Sequence, residues 1–403
     1  MQLTEIFAKD VQRPIEGVIK ADDVSHLGTE VDEYVLTNEA AKGLELLLEA
    51  YTNYTNANGV WISGFFGSGK SHLLKMLAHL LGDVEGDDFP RERVSASFRA
   101  KATDAFLPPL LDKADRIPAK SLLFNIDQKA TLISKDQTDA LLRVFVKVFD
   151  ESRGYYGDQG HIARFERQLD DEGQLDAFKD AFLEVSGRDW VERRPSFGLP
   201  TVRRQVNEAY AQLTGLDATT APDILKTYQD TYSVSIEDFA DEVRAWLDKQ
   251  PAGYRLNFFV DEVGQFIGSN THLMLNLQTI AESLNTKCGG RAWVFVTSQE
   301  DMDKVVGDRT KQQGNDFSKI QARFKTRVKL TSADVEEVIR KRLLEKNDKG
   351  AQVLEALYAQ ESANFKTLFD FVDGAKTYRN FTDEAHFVGT YPFVSYQFPL
   401  FQA

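Results

Sequence analysis

Short apolar runs alternate along this chain with longer stretches in which apolar residues return every three or four positions. That alternation predicts a sheet covered by helices. Gly59-Val60-Trp61-Ile62-Ser63-Gly64, Ser121 to Asp127, Arg255 to Asp261 and Ala292 to Thr297 read as four buried strands. Ile320 to Leu330 reads as a helix end running into a fifth. Leu44, Leu47, Leu48 and Tyr51 share one helical face, which predicts a helix over Asn38 to Tyr54 capped by Thr37. The same spacing returns at Leu73, Leu74, Leu77, Leu80 and Leu81, and at Leu273, Leu277, Ile280 and Leu284. From 136 to 248 the pattern is helical, whereas 83–120, with Pro108 and Pro109, reads as loop and short helix. A further helix is expected over Ala333 to Lys346, with Glu336–Arg340 and Glu337–Lys341 as i,i+4 pairs on its exposed side.

Strands interleaved with helices predict an α/β fold with a mostly parallel five-stranded sheet flanked by helices. The expected organisation is an N-terminal segment (1–37) packing on the core and a first half of the core (38–135). A helical insertion (136–250), a second half of the core (251–331) and a C-terminal helical lid with the start of a further domain (332–403) follow. The aromatic run Thr390 to Ala403 has no polar tail, and reads as core of a chain that continues.

Composition narrows the function classes. Of 403 residues 42 % are hydrophobic and 27 % charged, which is ordinary for a globular protein. Cys288 is the single cysteine, so disulfide scaffolds and cysteine-based zinc clusters are excluded and a reducing compartment is expected. No apolar run approaches the roughly 20 residues that span a bilayer, and no signal peptide is read at the start; a cytoplasmic location is expected. The net charge of −14 argues against a general nucleic-acid coat. The six histidines show no H-x-x-x-H spacing for a metallohydrolase. Arg193-Arg194 and Arg203-Arg204 read as a solvated basic face.

Gly64-Phe65-Phe66-Gly67-Ser68-Gly69-Lys70-Ser71 fits G-x-x-x-x-G-K-[ST], after a strand and before a helix. Its glycines let backbone N–H groups converge on a phosphate, and the helix that follows points its positive end at the same anion. Lys70 is expected on the β- and γ-phosphates and Ser71 on Mg²⁺. Arg255 to Asp261 supplies the partner strand, expected beside the P-loop strand, with Asp261 holding Mg²⁺ and Glu262 as general base. Thr297 and Gln299, at and just beyond the end of the next strand, are both candidates to contact the γ-phosphate or the attacking water. Arg323 is the candidate trans-acting arginine of a ring, with Arg327 as fallback and Arg379 as a lid arginine. His72, directly after the loop, more readily packs than ligates, and Tyr34 is a candidate for the adenine pocket. No guanine-reading motif is present, so ATP is the expected nucleotide.

The opening Ile6-Phe7, Arg13 to Lys20, Asp32 to Thr37, Gly59 to His72 and Val260 to Phe266 together resemble the BrxC family, the large ATPases of the BREX phage-resistance system, related to PglY. The resemblance implies an AAA+-like P-loop NTPase that uses ATP and Mg²⁺ in defence against foreign DNA. It implies homo-oligomers and other BREX components, including a DNA methyltransferase, as partners, with contact to DNA direct or indirect. Around Lys319 to Leu330 the chain is also similar to replication-initiation ATPases, in which the position of Arg323 is the trans-acting finger.

Three readings stand on these residues. The first is Mg²⁺-dependent ATP hydrolysis that assembles or remodels a defence complex on DNA. The second is a scaffold whose ATP binding controls oligomerisation with little turnover. The third is a DNA-translocating motor or loader, against which the acidic balance counts.

Overall fold

The computed structural model describes residues 2–13, 23–54, 56–84, 89–131, 133, 137–216, 223–268, 270–299, 323–369 and 380–400. The first half of the core comprises α1 (Leu27–Glu33), α2 (Asn38–Asn53), β1 (Gly59–Ser63), α3 (Lys70–Leu81), β2 (Asp83–Val84), α4 (Arg91–Lys101), α5 (Leu107–Asp115) and β3 (Ala119–Asn125). The helical stretch contains α6 (Ile126–Lys129), α7 (Ala140–Glu151), α8 (Gly160–Asp171), α9 (Leu175–Ser186), α10 (Trp190–Arg193), α11 (Pro200–Thr214), α12 (Ile224–Asp230) and α13 (Ile236–Asp248). Then come β4 (Arg255–Asp261), α14 (Val263–Ile267), α15 (Thr271–Cys288), β5 (Ala292–Ser298) and β6 (Thr326–Lys329). Helices Ser332–Arg342, Asp348–Phe369, Glu384–Thr390 and Gln397–Leu400 end the described chain.

The strands form one sheet in the order β2-β3-β4-β5-β1-β6, and every pairing is parallel. The sheet therefore has six strands, not five. The extra one is the two-residue edge strand β2, too short to carry a period-2 signal. Strand β4 does not lie beside β1 as expected; β5 lies between them. Among the described residues of 83–120, α4 and α5 supply the helix expected there, and Pro108 and Pro109 sit in the first turn of α5. There the missing N–H removes no helix hydrogen bond.

Strand alternation sorts the core into two layers. Trp61, Leu256, Phe258, Val260, Val294 and Val296 face α7, α13 and α15. Val60, Ile62, Phe259, Trp293, Phe295 and Val328 face the layer of α1 to α5. Asn257 is a fully buried polar residue in the interior of β4. Its amide donates to the Tyr51 hydroxyl at 3.1 Å and to the Leu81 carbonyl at 3.2 Å, closing the C-terminal end of α3.

Helices α8 to α12 form a separate small core around Phe165, Phe178, Phe182 and Trp190, whereas α7 and α13 belong to the sheet's own cover. Glu166, buried within that small core, accepts from Trp190 Nε1 at 2.7 Å, Arg194 at 2.9 Å and the Tyr156 N–H at 2.6 Å. The N-terminal residues divide. Leu27, Val31, Tyr34 and Leu36 pack into the core, while Ile6 packs with Leu354 and Phe387, and Phe7 bridges to Lys346. Glu33 joins the two parts by accepting from Arg13 at 2.9 Å and Arg342 at 3.0 Å. No described helix is long and apolar enough to cross a membrane.

Removing the Asn257 amide strands two buried partners, the Tyr51 hydroxyl and the Leu81 carbonyl, each costing about 1–3 kcal/mol when left unpaired. Asn257→Ala is expected to lower unfolding free energy by about 2–6 kcal/mol, measured by urea denaturation.

Candidate functional site

The parallel register brings four strand ends to one edge of the sheet. Asn125 is level with Asp261, Val260 with Val296, Ile62 with Thr297 and Ser63 with Ser298. The loop from Gly64 to Gly69 leaves β1 at this edge and enters α3 with Gly69 as its N-cap. Gly67 and Gly69 adopt φ of +77° and +87°, and a Cβ on either would meet nothing within 4 Å. They are needed for backbone conformation, not for packing, and open space lies beside them. Gly64 is different: a Cβ there would stand 2.5 Å from Ser68 Oγ and 3.0 Å from the Leu330 carbonyl oxygen.

Lys70 is buried, and its ammonium donates across the loop to the Phe65 carbonyl at 2.8 Å. Burial holds its pKa below the ordinary lysine value, opposed by the nearby charges of Asp261 and Glu262. Both carboxylates stand at the sheet edge from which the loop leaves, so their charge favours the protonated lysine. Ser68 Oγ is buried with no hydrogen-bond partner. Ser71 occupies the first turn of α3, while Phe65 and the far more exposed Phe66 form the loop's outer surface.

Asp261 ends β4 and is 5 % exposed. Its Oδ1 accepts from Thr297 Oγ1 at 2.6 Å and from the Glu262 N–H at 3.1 Å. Glu262 takes a left-handed backbone, φ +64°, and its Oε2 accepts from Asn125 Nδ2 at 2.8 Å. Sequence reasoning missed Asn125. Its signal was a polar residue at the end of a buried strand, where α/β ligand sites form.

The remaining candidates separate. Thr297 is 1 % exposed and spends its hydroxyl on Asp261 and Glu262, while Gln299 lies exposed just beyond β5. Arg323 stands at the opposite edge, where its carbonyl oxygen would lie 2.7 Å from a Cβ on Gly59, the first residue of β1. Its guanidinium pairs with Glu282 at 3.0 Å, so it is not part of its own chain's loop site. Arg327 lies within β6, and Arg379 falls outside the described residues. Tyr34 is buried, stacked on Phe98 at 5.3 Å and edge-on to His72 at 4.9 Å, so both neighbours already occupy its ring.

Cys288 is buried and its thiol is pushed up to about 12 by burial, which leaves it inert as a nucleophile. In the basic cluster, Arg194, Arg203 and Arg204 pair with Glu166, Asp223 and Glu208. Among the described residues no group of three or more His, Cys, Asp or Glu is arranged to hold a metal ion by protein ligands alone. No protein-family model and no solved structure matches the chain.

His72 Nε2 is buried without a hydrogen-bond partner, and burial lowers the ring's pKa from 6.5 to about 3, helped by the charge of Arg342. Between those values the unfolded chain binds a proton that the folded chain refuses. Stability therefore falls as pH drops below 6.5, by up to about 1.4 kcal/mol per pH unit from this group. Urea unfolding at pH 7, 6 and 5 is expected to show a shallower acid loss in His72→Gln than in the wild type.

Proposed function

We propose that this chain binds ATP with Mg²⁺ at the carboxyl edge of its sheet and hydrolyses it, as an AAA+-like P-loop NTPase. The observation that carries the reading is one constellation: a glycine loop with a buried lysine, faced by Asp261 and by Glu262 held from the side by Asn125. The residues fit the nucleotide's phosphates. Gly67 and Gly69 leave open space beside the loop, the N-terminus of α3 opens onto it, and a buried Ser68 hydroxyl lacks a partner. The role in a BREX-type defence complex, with a methyltransferase, further copies of the chain and DNA as partners, rests on the sequence resemblance alone.

Each group then has a task its position suits. The loop's N–H groups and Lys70 bind the phosphate tail, and Lys70 exchanges its bond to the Phe65 carbonyl for phosphate oxygens. Ser71 and Asp261 would hold Mg²⁺, which supplies charge neutralisation as the phosphoryl group transfers. Glu262 takes a proton from the attacking water, and Asn125 orients its carboxylate from the far side. Arg323 is too far from its own loop to act there, so any contribution to turnover goes to a neighbouring copy.

ATP binding and turnover of the purified chain test this, over a range of protein concentrations and with and without duplex DNA. Glu262→Gln is expected to keep ATP binding and lose turnover by about 10²- to 10⁴-fold. Lys70→Ala is expected to lose binding. Activity that rises with concentration and is lost in Arg323→Ala places that arginine in trans. A wild type that binds ATP without turnover selects the scaffold reading, and one that does not bind ATP overturns the proposal.

A further inference from the structure

Thr297 sits where a phosphate-reading side chain is expected, yet its bonding points elsewhere. A threonine hydroxyl has one hydrogen to donate. Here that hydrogen goes to Asp261 Oδ1 at 2.6 Å, and the oxygen accepts the Glu262 N–H at 2.8 Å. What remains on the oxygen is acceptor capacity, which offers nothing to a phosphate oxygen. The side chain is 1 % exposed, so it is packed in this arrangement.

Glu262 needs such support. Its backbone is left-handed, φ +64° and ψ 21°, a conformation that a residue with a Cβ holds only when its surroundings impose it. Two contacts from β5 impose it. The first is the Thr297 hydroxyl on the Glu262 N–H. The second is steric: a Cβ on Gly264 would stand 2.1 Å from Ser298 Oγ, so only glycine lets α14 close onto the end of β5. Ser298 is level with Ser63, the residue before the P-loop. The turn carrying both carboxylates is thus fastened to the strand lying between it and the loop.

We propose that Thr297 is a positioning residue that ties the Asp261–Glu262 turn in its left-handed form and reserves Asp261 Oδ1 for the protein, directing the other carboxylate oxygen to the metal. The assignment rests on the ATPase reading for its metal, but the tether itself is a property of the chain without nucleotide. Thr297→Val keeps the shape and removes the hydroxyl; Thr297→Ser restores it. Ser298 and Gly264 stay in place in both variants.

The test has a nucleotide-free arm and a nucleotide arm. Hydrogen exchange of the segment containing Glu262, without nucleotide, is expected to speed up about tenfold or more in Thr297→Val and to stay near wild type in Thr297→Ser. With ATP, the Mg²⁺ concentration for half-maximal turnover is expected to rise, and kcat to fall, by about tenfold or more in Thr297→Val. ATP affinity in EDTA is expected to stay within about twofold. If Thr297→Val does not fold, Thr297→Ala serves in its place. Unchanged exchange in the valine variant overturns the tether, whatever the chain does with ATP. Loss of metal-free ATP affinity in step with kcat overturns it too, since the hydroxyl would then be reading the nucleotide. A wild type that does not bind ATP removes the ATPase reading, and the exchange arm still decides the tether.

Discussion

The parallel register of β3, β4, β5 and β1 is the constraint on which the rest of this structure depends. Because all four strands run the same way, Asn125, Asp261, Thr297 and Ser63 finish at one edge, within reach of the loop that leaves β1. The register is enforced from both faces of the sheet. A one-residue slip of β5 would send Trp293 and Phe295 to the layer now filled by Val294 and Val296, exchanging large rings for small branched side chains in a packed interior. The same slip would move Thr297 away from Asp261. Packing of the apolar core and placement of the polar edge are therefore one requirement.

Charge is organised around that edge in a second tier. Lys75 of α3, the helix that follows the glycine loop, is fully buried and pairs with Glu30 of α1 at 2.7 Å. Three residues on, Glu33 receives Arg13 and Arg342, which carries the connection to the C-terminal helices. Burial works against the Glu33 carboxylate, yet its two arginines hold its pKa below the usual value. Helix α1 thus links α3 to the C-terminal helices by ionic contacts. Arg323 belongs to a weaker tier. Its pair with Glu282 is 22 % and 43 % exposed, and a pair at that exposure is worth about 0–1 kcal/mol. Giving it up to a neighbouring subunit would cost the chain little.

The sequence carried the parts of this site that obey local rules and hid those that depend on pairing. The glycine loop from Gly64 to Ser71 was legible because its glycines, lysine and serine stand at a fixed local spacing between a strand and a helix. Strands β1, β3, β4 and β5 were legible because each is built on a short run of large apolar residues. Strand β2 was not, since Asp83 and Val84 take their conformation from β3. Strand order was not legible either, because nothing within β4 states that β5 lies between it and β1. Asn125 and the role of Thr297 follow from order and register, so both emerged only with the sheet. Asn257 was visible as an anomaly on a buried strand, and its partners Tyr51 and Leu81 come from elements far away in the chain.

The helical insertion shows the same division between apolar packing and ionic placement. Its aromatic core closes on itself, and charged groups link it to the sheet's cover. Arg167 of α8 donates to Asp150 of α7 at 2.8 Å and to Glu242 of α13 at 2.6 Å, and Arg153 joins Asp150 at 2.7 Å. Burial raises the pKa of both acids against the pull of the arginines, so the network gains less in stability than its bonds suggest. What such a network fixes is orientation, because guanidinium and carboxylate pair well only in particular geometries. A cavity of about 400 Å³ lies along this joint, lined by Arg153, Arg167, Glu242 and Trp246 among others. These ion pairs run from α8 to α7 and α13, so they orient the insertion against the helices that cover the sheet.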